Sequence, residues 1–253
     1  MSINNDSELA GIRKISEIVA LTVREMKAYA SAGMSTKELD DYGKTLLEKY
    51  HARSAPLLTY KFPGCTCISL NGEIAHGIPS DSKVLREGDL INIDVSAELD
   101  GFWADNGASF VIGEDINNHF PLINASRAIL KKAISNIRGG VRVSDIGGLI
   151  ESEAKKSGYR VIKNLTGHGI GRSLHEAPEV ANYRDNFNKQ RFAKNQVVAV
   201  ETFISTLSTI ADTTEDGWTL TGNKGGFVAQ FEHTILVTSG LPVILTESNG
   251  IFE

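Results

Sequence analysis

The run INIDVSAELDGFWADNGASF, residues 91–110, sets one carboxylate into each of two apolar segments, Asp94 and Asp105, joined through Asp100-Gly101. Asp-Gly between alternating segments is a hairpin signal, so the run reads as two antiparallel strands. Glu201 in NQVVAVETF and Glu232 in QFEHTILV sit in comparable surroundings further along. A single acid in a strand is explained by surface alternation, or by backbone donors around a buried side chain. Four are harder to explain that way. Anions about 4 Å apart repel by on the order of 4 kcal/mol per pair even at an effective dielectric near 20, so a convergent set requires cations or protons. Carboxylates with one or two imidazoles suit divalent first-row metals, and two such ions share bridging carboxylates and a water at about 3.5–4 Å separation.

The imidazole has to be found among six histidines. His168, in NLTGHGIGRSLHEAPEV, lies between glycines that let backbone approach closely; His175 follows seven residues on, and His76 in EIAHGIPS repeats the His-Gly-Ile triplet of 168–170. Any one of them alone is as well explained by structure, but three in Gly/Pro-punctuated turns beside acid-bearing strands point to a site. His51 and His119 have ordinary polar neighbours and read as solvated, and His233, adjacent to Glu232 on one strand, points to the opposite face. Other chemistries find no motif: HEAPE at 175–179 is not H-E-x-x-H, GHGIGRS matches neither phosphate-loop pattern, and no serine sits in G-x-S-x-G.

The elements that must carry these residues are legible from period and punctuation. Leu9, Ile12, Ile15, Val19, Val23 and Met26 predict a helix over about 7–31, and Ser35 with Glu38 forms a capping box that opens a second one. SAPLLTYKFPG, with two prolines, reads as a loop. Strands are predicted at about 66–70, 89–95 and 102–112, and helices at about 120–137 and 144–157.

The 253 residues, 41% hydrophobic, suffice for a substantial core, and a net charge of −5 shows no basic excess that would draw nucleic acid. No apolar run approaches the roughly 18 residues of a membrane span, and MSINNDSEL lacks the features of a secretory signal, so a cytoplasmic location is expected. Cys65 and Cys67, one residue apart, are read as packing residues rather than a disulfide or zinc site.

The chain also repeats itself. GMSTKELDDYGKTLLEKY from Gly33 resembles GVRVSDIGGLIESEAKKSGY from Gly140, a step of 107 residues, and Asp94 to Glu201 is again 107. Asp105 to Glu232 is 127, which leaves about 20 extra residues around STIADTTEDGWTLTGNKGG. A duplication with repeats at about 8–113 and 118–240, inside one catalytic domain over 1–253, follows as an expectation.

AHGIP at 75–79, NIDVSAELDGFWAD at 92–105, GHGIGRSLHEAP at 167–178, VETF at 200–203 and QFEHT at 230–234 together resemble type I methionine aminopeptidases, over essentially the whole chain. The resemblance implies an α+β pita-bread fold, with two pseudo-two-fold halves whose antiparallel sheets are covered by helices. It implies a dinuclear centre: Asp94 on one metal, His168 and Glu201 on the other, Asp105 and Glu232 bridging, with two divalent ions from among Co, Mn, Fe, Zn and Ni. His76 and His175 match the histidines that contact substrate, and Phe62, Cys67, Leu174 and Trp218 match the methionine pocket, although ordinary core explains Cys67 and Leu174 equally well. The implied reaction is release of N-terminal methionine ahead of a small second residue, by a metal-bridged hydroxide with Glu201 as general base. Implied partners are Met-initiated peptides and nascent chains, transiently the ribosome, with no membrane and a monomeric state.

Two residues depart from the family's pattern. Asn106 and Thr202 stand where Thr and Pro are usual, which raises the expectation that Asn106 alters the orientation of Asp105 and Thr202 loosens the backbone at Glu201. Two rivals remain. An Xaa-Pro aminopeptidase or prolidase would share the ligands but normally carries a separate N-terminal domain, whereas about 60 residues precede the first strand here. A non-catalytic peptide-binding relative of the same fold would be expected to have lost ligands.

Overall fold

The computed structural model describes residues 1–252. Helix α1 spans Asp6–Tyr29 and buries the predicted stripe, Ile12, Ile15, Val19, Val23 and Met26. Helix α2, Thr36–Lys49, opens with both arms of the capping box: Glu38 N donates to Ser35 Oγ at 3.1 Å and Ser35 N to Glu38 Oε2 at 2.7 Å. After the short strand β1, Arg53–Ser54, comes helix α3, Ala55–Tyr60. This corrects the loop expected there. Pro56 falls in the first turn, where its missing N–H costs nothing, and Ser54 caps the end by accepting from Leu57 N.

Strands β2 (Cys67–Leu70), β3 (Glu73–Ala75), β4 (Leu90–Leu99) and β5 (Phe102–Val111) follow, with β4 four residues longer at its end than its apolar run indicates. Helices α4 (Phe120–Ser135) and α5 (Val143–Lys156) lead to β6 (Arg160–Val161), β7 (Thr166–Gly169), β8 (Glu176–Ala181) and β9 (Val197–Ser205). Strands β10 (Ala211–Thr213), β11 (Leu220–Gly222), β12 (Val228–Leu236) and β13 (Val243–Ile244) complete the chain.

Ten strands form one antiparallel sheet, whose central order is β4-β5-β12-β9-β7. Helices α1 and α4 pack on its central strands, α1 on β4 and β5 and α4 on β9 and β12, in the α+β pita-bread arrangement. Strands β10 and β11 form a hairpin that joins β3 in a separate three-stranded sheet. At the centre, β5 meets β12 with a single registered backbone pair, Ala108 with Phe231. Side chains close the rest of that seam: Thr234 Oγ1 accepts from Asp105 N and donates to Asp105 O (3.0 and 2.8 Å), and Ser109 Oγ does the same for Gln230 N and O (3.0 and 2.9 Å). Buried hydroxyls thus satisfy backbone groups that a regular ladder would pair.

His119 is 4% exposed at the start of α4 and packs edge-on against Phe227, not in solvent as its neighbours in sequence indicated. Cys65 and Cys67 are free thiols. Among the described residues no helix is long and apolar enough to cross a membrane.

Candidate metal centre and peptide cleft

Five neighbouring strands each deliver one functional side chain to the same face. Asp94 comes from β4, Asp105 from β5, Glu232 from β12, Glu201 from β9 and His168 from β7. Register explains the convergence. Glu232 is directly opposite Glu201, and Asp94 and Asp105 are offset by two residues along their hairpin, Ser96 being the partner of Asp105. Because strand side chains alternate with period two, offsets of zero and two keep all four acids on one side of the sheet.

Ligand atoms of Asp105, His168 and Glu232 all lie within 4.8 Å of one another, with His168 Nε2 3.9 Å from Asp105 Oδ2. Asp94 and Asp105 are close enough to share a proton. Burial, with the neighbouring acids as the second cause, raises Asp105, Glu201 and Glu232 well above the carboxylate range; burial takes Asp94 to about 6. Burial and then the nearby His175 lower His168 to about 3, so its ring is neutral.

The donor set fits divalent cations. Glu232 Oε1 is buried with no hydrogen-bond partner among the described residues, a costly arrangement that coordination would satisfy. His168 Nδ1 lies 3.0 Å from the Gly169 carbonyl and, as donor to it, carries the ring proton, which turns the Nε2 lone pair toward Asp105. Gln230, unassigned by sequence reasoning, donates from Nε2 to Glu232 Oε2 at 3.1 Å and is itself held by Asn92 Nδ2 at 2.8 Å. Its signal was present in QFE: two residues before Glu232, it shares that face.

The acids form the floor of a cleft of about 900 Å³ whose lining includes all eleven sequence-predicted site residues. His76 and His175 stand exposed at its rim. His76 holds φ at 53°, and the next residue, Gly77, lies where a Cβ would overlap the Ile68 carbonyl. Gly169 after His168 is pressed likewise against Ala177, so the repeated His-Gly pair marks two places where backbone crowding sets the ring's direction. Phe62 and Trp218 meet edge to face at 5.3 Å on the apolar wall, which Leu174 and Cys67 extend; Cys67 is the strand partner of Asp94. Tyr60, unmarked in the sequence, also lines the cleft. His233 faces away from the acids, against Phe252 and within 2.8 Å of Thr246 Oγ1.

Neither departing side chain bonds to the side chain of a candidate ligand. Asp105 Oδ1 accepts from the backbone N of Asn106, a donor any non-proline residue supplies, while the Asn106 amide donates to the Glu232 carbonyl at 2.5 Å. Thr202 is paired in the ladder with Phe231, and its hydroxyl is directed toward the Phe231 carbonyl and Ser126.

The model of metallopeptidase family M24 matches residues 10–239. Methionine aminopeptidase 2 of Bacillus subtilis (strain 168) is 49% identical over 248 residues, 98% of this chain and 100% of the relative. The chain belongs to the methionine aminopeptidases of family M24. A solved methionine aminopeptidase from Thermotoga maritima superposes with a TM-score of 0.91 at 32% identity, covering 97% of this chain and 99% of that one. Prolidase from Pyrococcus furiosus shares the fold, with a TM-score of 0.77 at 19% identity, but this chain covers only 65% of it. A full-length match to methionine aminopeptidases at both levels distinguishes this family member from the proline-specific rival.

Proposed function

We propose that this M24 enzyme binds two divalent cations between Asp94, Asp105, His168, Glu201 and Glu232, and releases N-terminal methionine from peptides and nascent chains whose second residue is small. The observation carrying this reading is the delivery of five ligand-type side chains by five adjacent strands to the floor of one apolar-walled cleft. In it Asp105 and Glu232 would help hold both ions, Asp94 would serve one, and His168 with Glu201 would serve the other. The bound cations would supply Lewis acidity, a water of lowered pKa and an anchor for the free α-amine, the last being what makes an exopeptidase.

In this reading Glu201 takes a proton at the cleft floor and returns it to the leaving amine nitrogen. From the rim, His175 donates to the scissile carbonyl oxygen as negative charge develops there, and His76 holds the amide side of the bond. Phe62, Trp218, Leu174 and Cys67 enclose the methionine side chain and exclude water from it. The same reading includes one catalytic unit built from two similar halves, a cytoplasmic monomer, and transient contact with the ribosome.

The test is release of methionine from Met-Ala-Ser by protein stripped of metal and reloaded with Co²⁺ or Mn²⁺, with metal content measured alongside. Cleavage that tracks two bound equivalents supports the proposal. Full activity without metal, or preferential cleavage of an Xaa-Pro peptide, overturns it.

A further inference from the structure

Tyr60 ends α3 with its hydroxyl 2.5 Å from His175 Nδ1, the two rings 5.8 Å apart and inclined at 39°. Both side chains line the cleft. A neutral imidazole carries one proton, so whatever bonds to one nitrogen decides what the other offers. A phenol is protonated at neutral pH and donates readily to an unprotonated ring nitrogen. If it does so here, the His175 proton is held on Nε2. In the opposite tautomer Nδ1–H would donate to the phenol oxygen, and Nε2 would present a lone pair to the peptide carbonyl.

We propose that Tyr60 is a positioning residue whose hydroxyl donates to His175 Nδ1 and so fixes the tautomer that offers Nε2–H to the scissile carbonyl oxygen. This rests on the reading of His175 as the donor to that oxygen. It gives α3 a purpose that burial does not: Leu57, Leu58 and Tyr60 are all more than 40% exposed, and Ser54 and Pro56 fix the turn that brings Tyr60 over His175. The Ser173 hydroxyl donates to the His175 carbonyl at 3.1 Å, and Arg172 N and Ser173 N donate to Glu176, so the loop bearing His175 is held independently of Tyr60.

The test uses the Zn²⁺-loaded enzyme carrying ¹⁵N-histidine, with the His175 signals assigned by their absence in His175→Gln. In the unmodified enzyme Nε2 should show the shift of a protonated nitrogen and Nδ1 that of a hydrogen-bonded acceptor. Tyr60→Phe should mix the tautomers and lower kcat on Met-Ala-Ser about tenfold, a fraction of the roughly 100-fold or more that loss of an oxyanion donor costs, with KM within about twofold. A wild-type proton on Nδ1 overturns the proposal, as does a Tyr60→Phe enzyme with unchanged nitrogen signals, whether kcat is kept or only KM rises. His175→Ala separates the two layers: full kcat there defeats the reading of His175 itself, whereas a large loss beside an unaffected Tyr60→Phe defeats only the role of Tyr60.

Discussion

The two halves of the sheet bring matched acids to the centre on unequal terms. On the first side Asp94 and Asp105 stand on the β4–β5 hairpin, flanked by β2; on the second Glu201 and Glu232 stand on β9 and β12, flanked by β7. Ser69 pairs with Asn92 in the first flank and His168 with Ala199 in the second, and Asn92 and Ala199 are again 107 residues apart. At equivalent sheet positions one half therefore has a hydroxyl bonded to Gly77 N at 3.1 Å and the other an imidazole 3.9 Å from Asp105. The flanking strand is paired antiparallel in both, and the side chains that it brings differ. In the proposed two-ion reading, oxygen donors alone from one side and a nitrogen from the other would make the two cation positions unequal, and an unequal pair would give the peptide's amine and its carbonyl distinct places to bind.

The sharpest way to break this comparison is Glu232→Gln. Removing a shared carboxylate should abolish tight metal binding on both sides and take methionine release below detection. The same change deletes one of the crowded buried charges, so the metal-free variant should melt higher than metal-free wild type at pH 8. Calorimetry with and without metal checks both, and retention of two metal equivalents would contradict the bridging role.

His168→Ser makes the second flank like the first. One equivalent of metal should be lost while the other is kept, and kcat should fall by about a hundredfold or more, the scale of a misassembled acid–base site. Loss of both equivalents would mean that the two positions are not separable by half.

The crowding of the acids predicts a pH trend whose sign depends on metal. Asp94 is raised from 3.8 to about 6, and Asp105, Glu201 and Glu232 are raised well above their usual values. A carboxyl with a folded-state pKa above its unfolded value binds more protons when folded, so stability falls as pH climbs between the two. Metal-free protein should lose melting temperature from about pH 4 through pH 6 and onward. Bound cations stabilise the ionised acids, so the loaded enzyme should lack that decline; thermal scans from pH 5 to 8 test the contrast.

The candidate metal centre was legible because carboxyl side chains in apolar strands violate the pattern that surrounds them, and Asp94 and Glu201 do so at the same 107-residue step that relates the two helical segments. Histidines flanked by glycine were legible for a related reason, since glycine marks close backbone approach. Tyr60 was not legible. It lies in a proline-bearing stretch that reads as loop, and its role depends on α3 meeting the His175 loop 115 residues away. His119 failed in the reverse sense: polar neighbours in sequence say little about Phe227, which covers it across the fold. The seam between β5 and β12 was equally hidden, because Thr234 and Ser109 look like ordinary strand residues until the strands are seen to part there.

Asn106 gives the smallest expected effect and the finest view of that seam. Its amide nitrogen donates to the Glu232 carbonyl, and its amide oxygen accepts from Asn249 Nδ2 at 3.0 Å, so one fully buried side chain links the two halves to the C-terminal segment. Thr at this position has one hydroxyl proton and a shorter reach, so it can replace the first bond but leaves the Asn249 amide unmet, at a cost of about 1–3 kcal/mol. Asn106→Thr should therefore lower the melting temperature by several degrees. The bond that orients Asp105 comes from the backbone N of residue 106 and survives the change, so metal content should hold and kcat should stay within about threefold, short of the 10- to 100-fold that disturbing a ligand's own support produces. If activity fell with stability intact, the side chain at 106 would be acting on the ligand set and not on the seam.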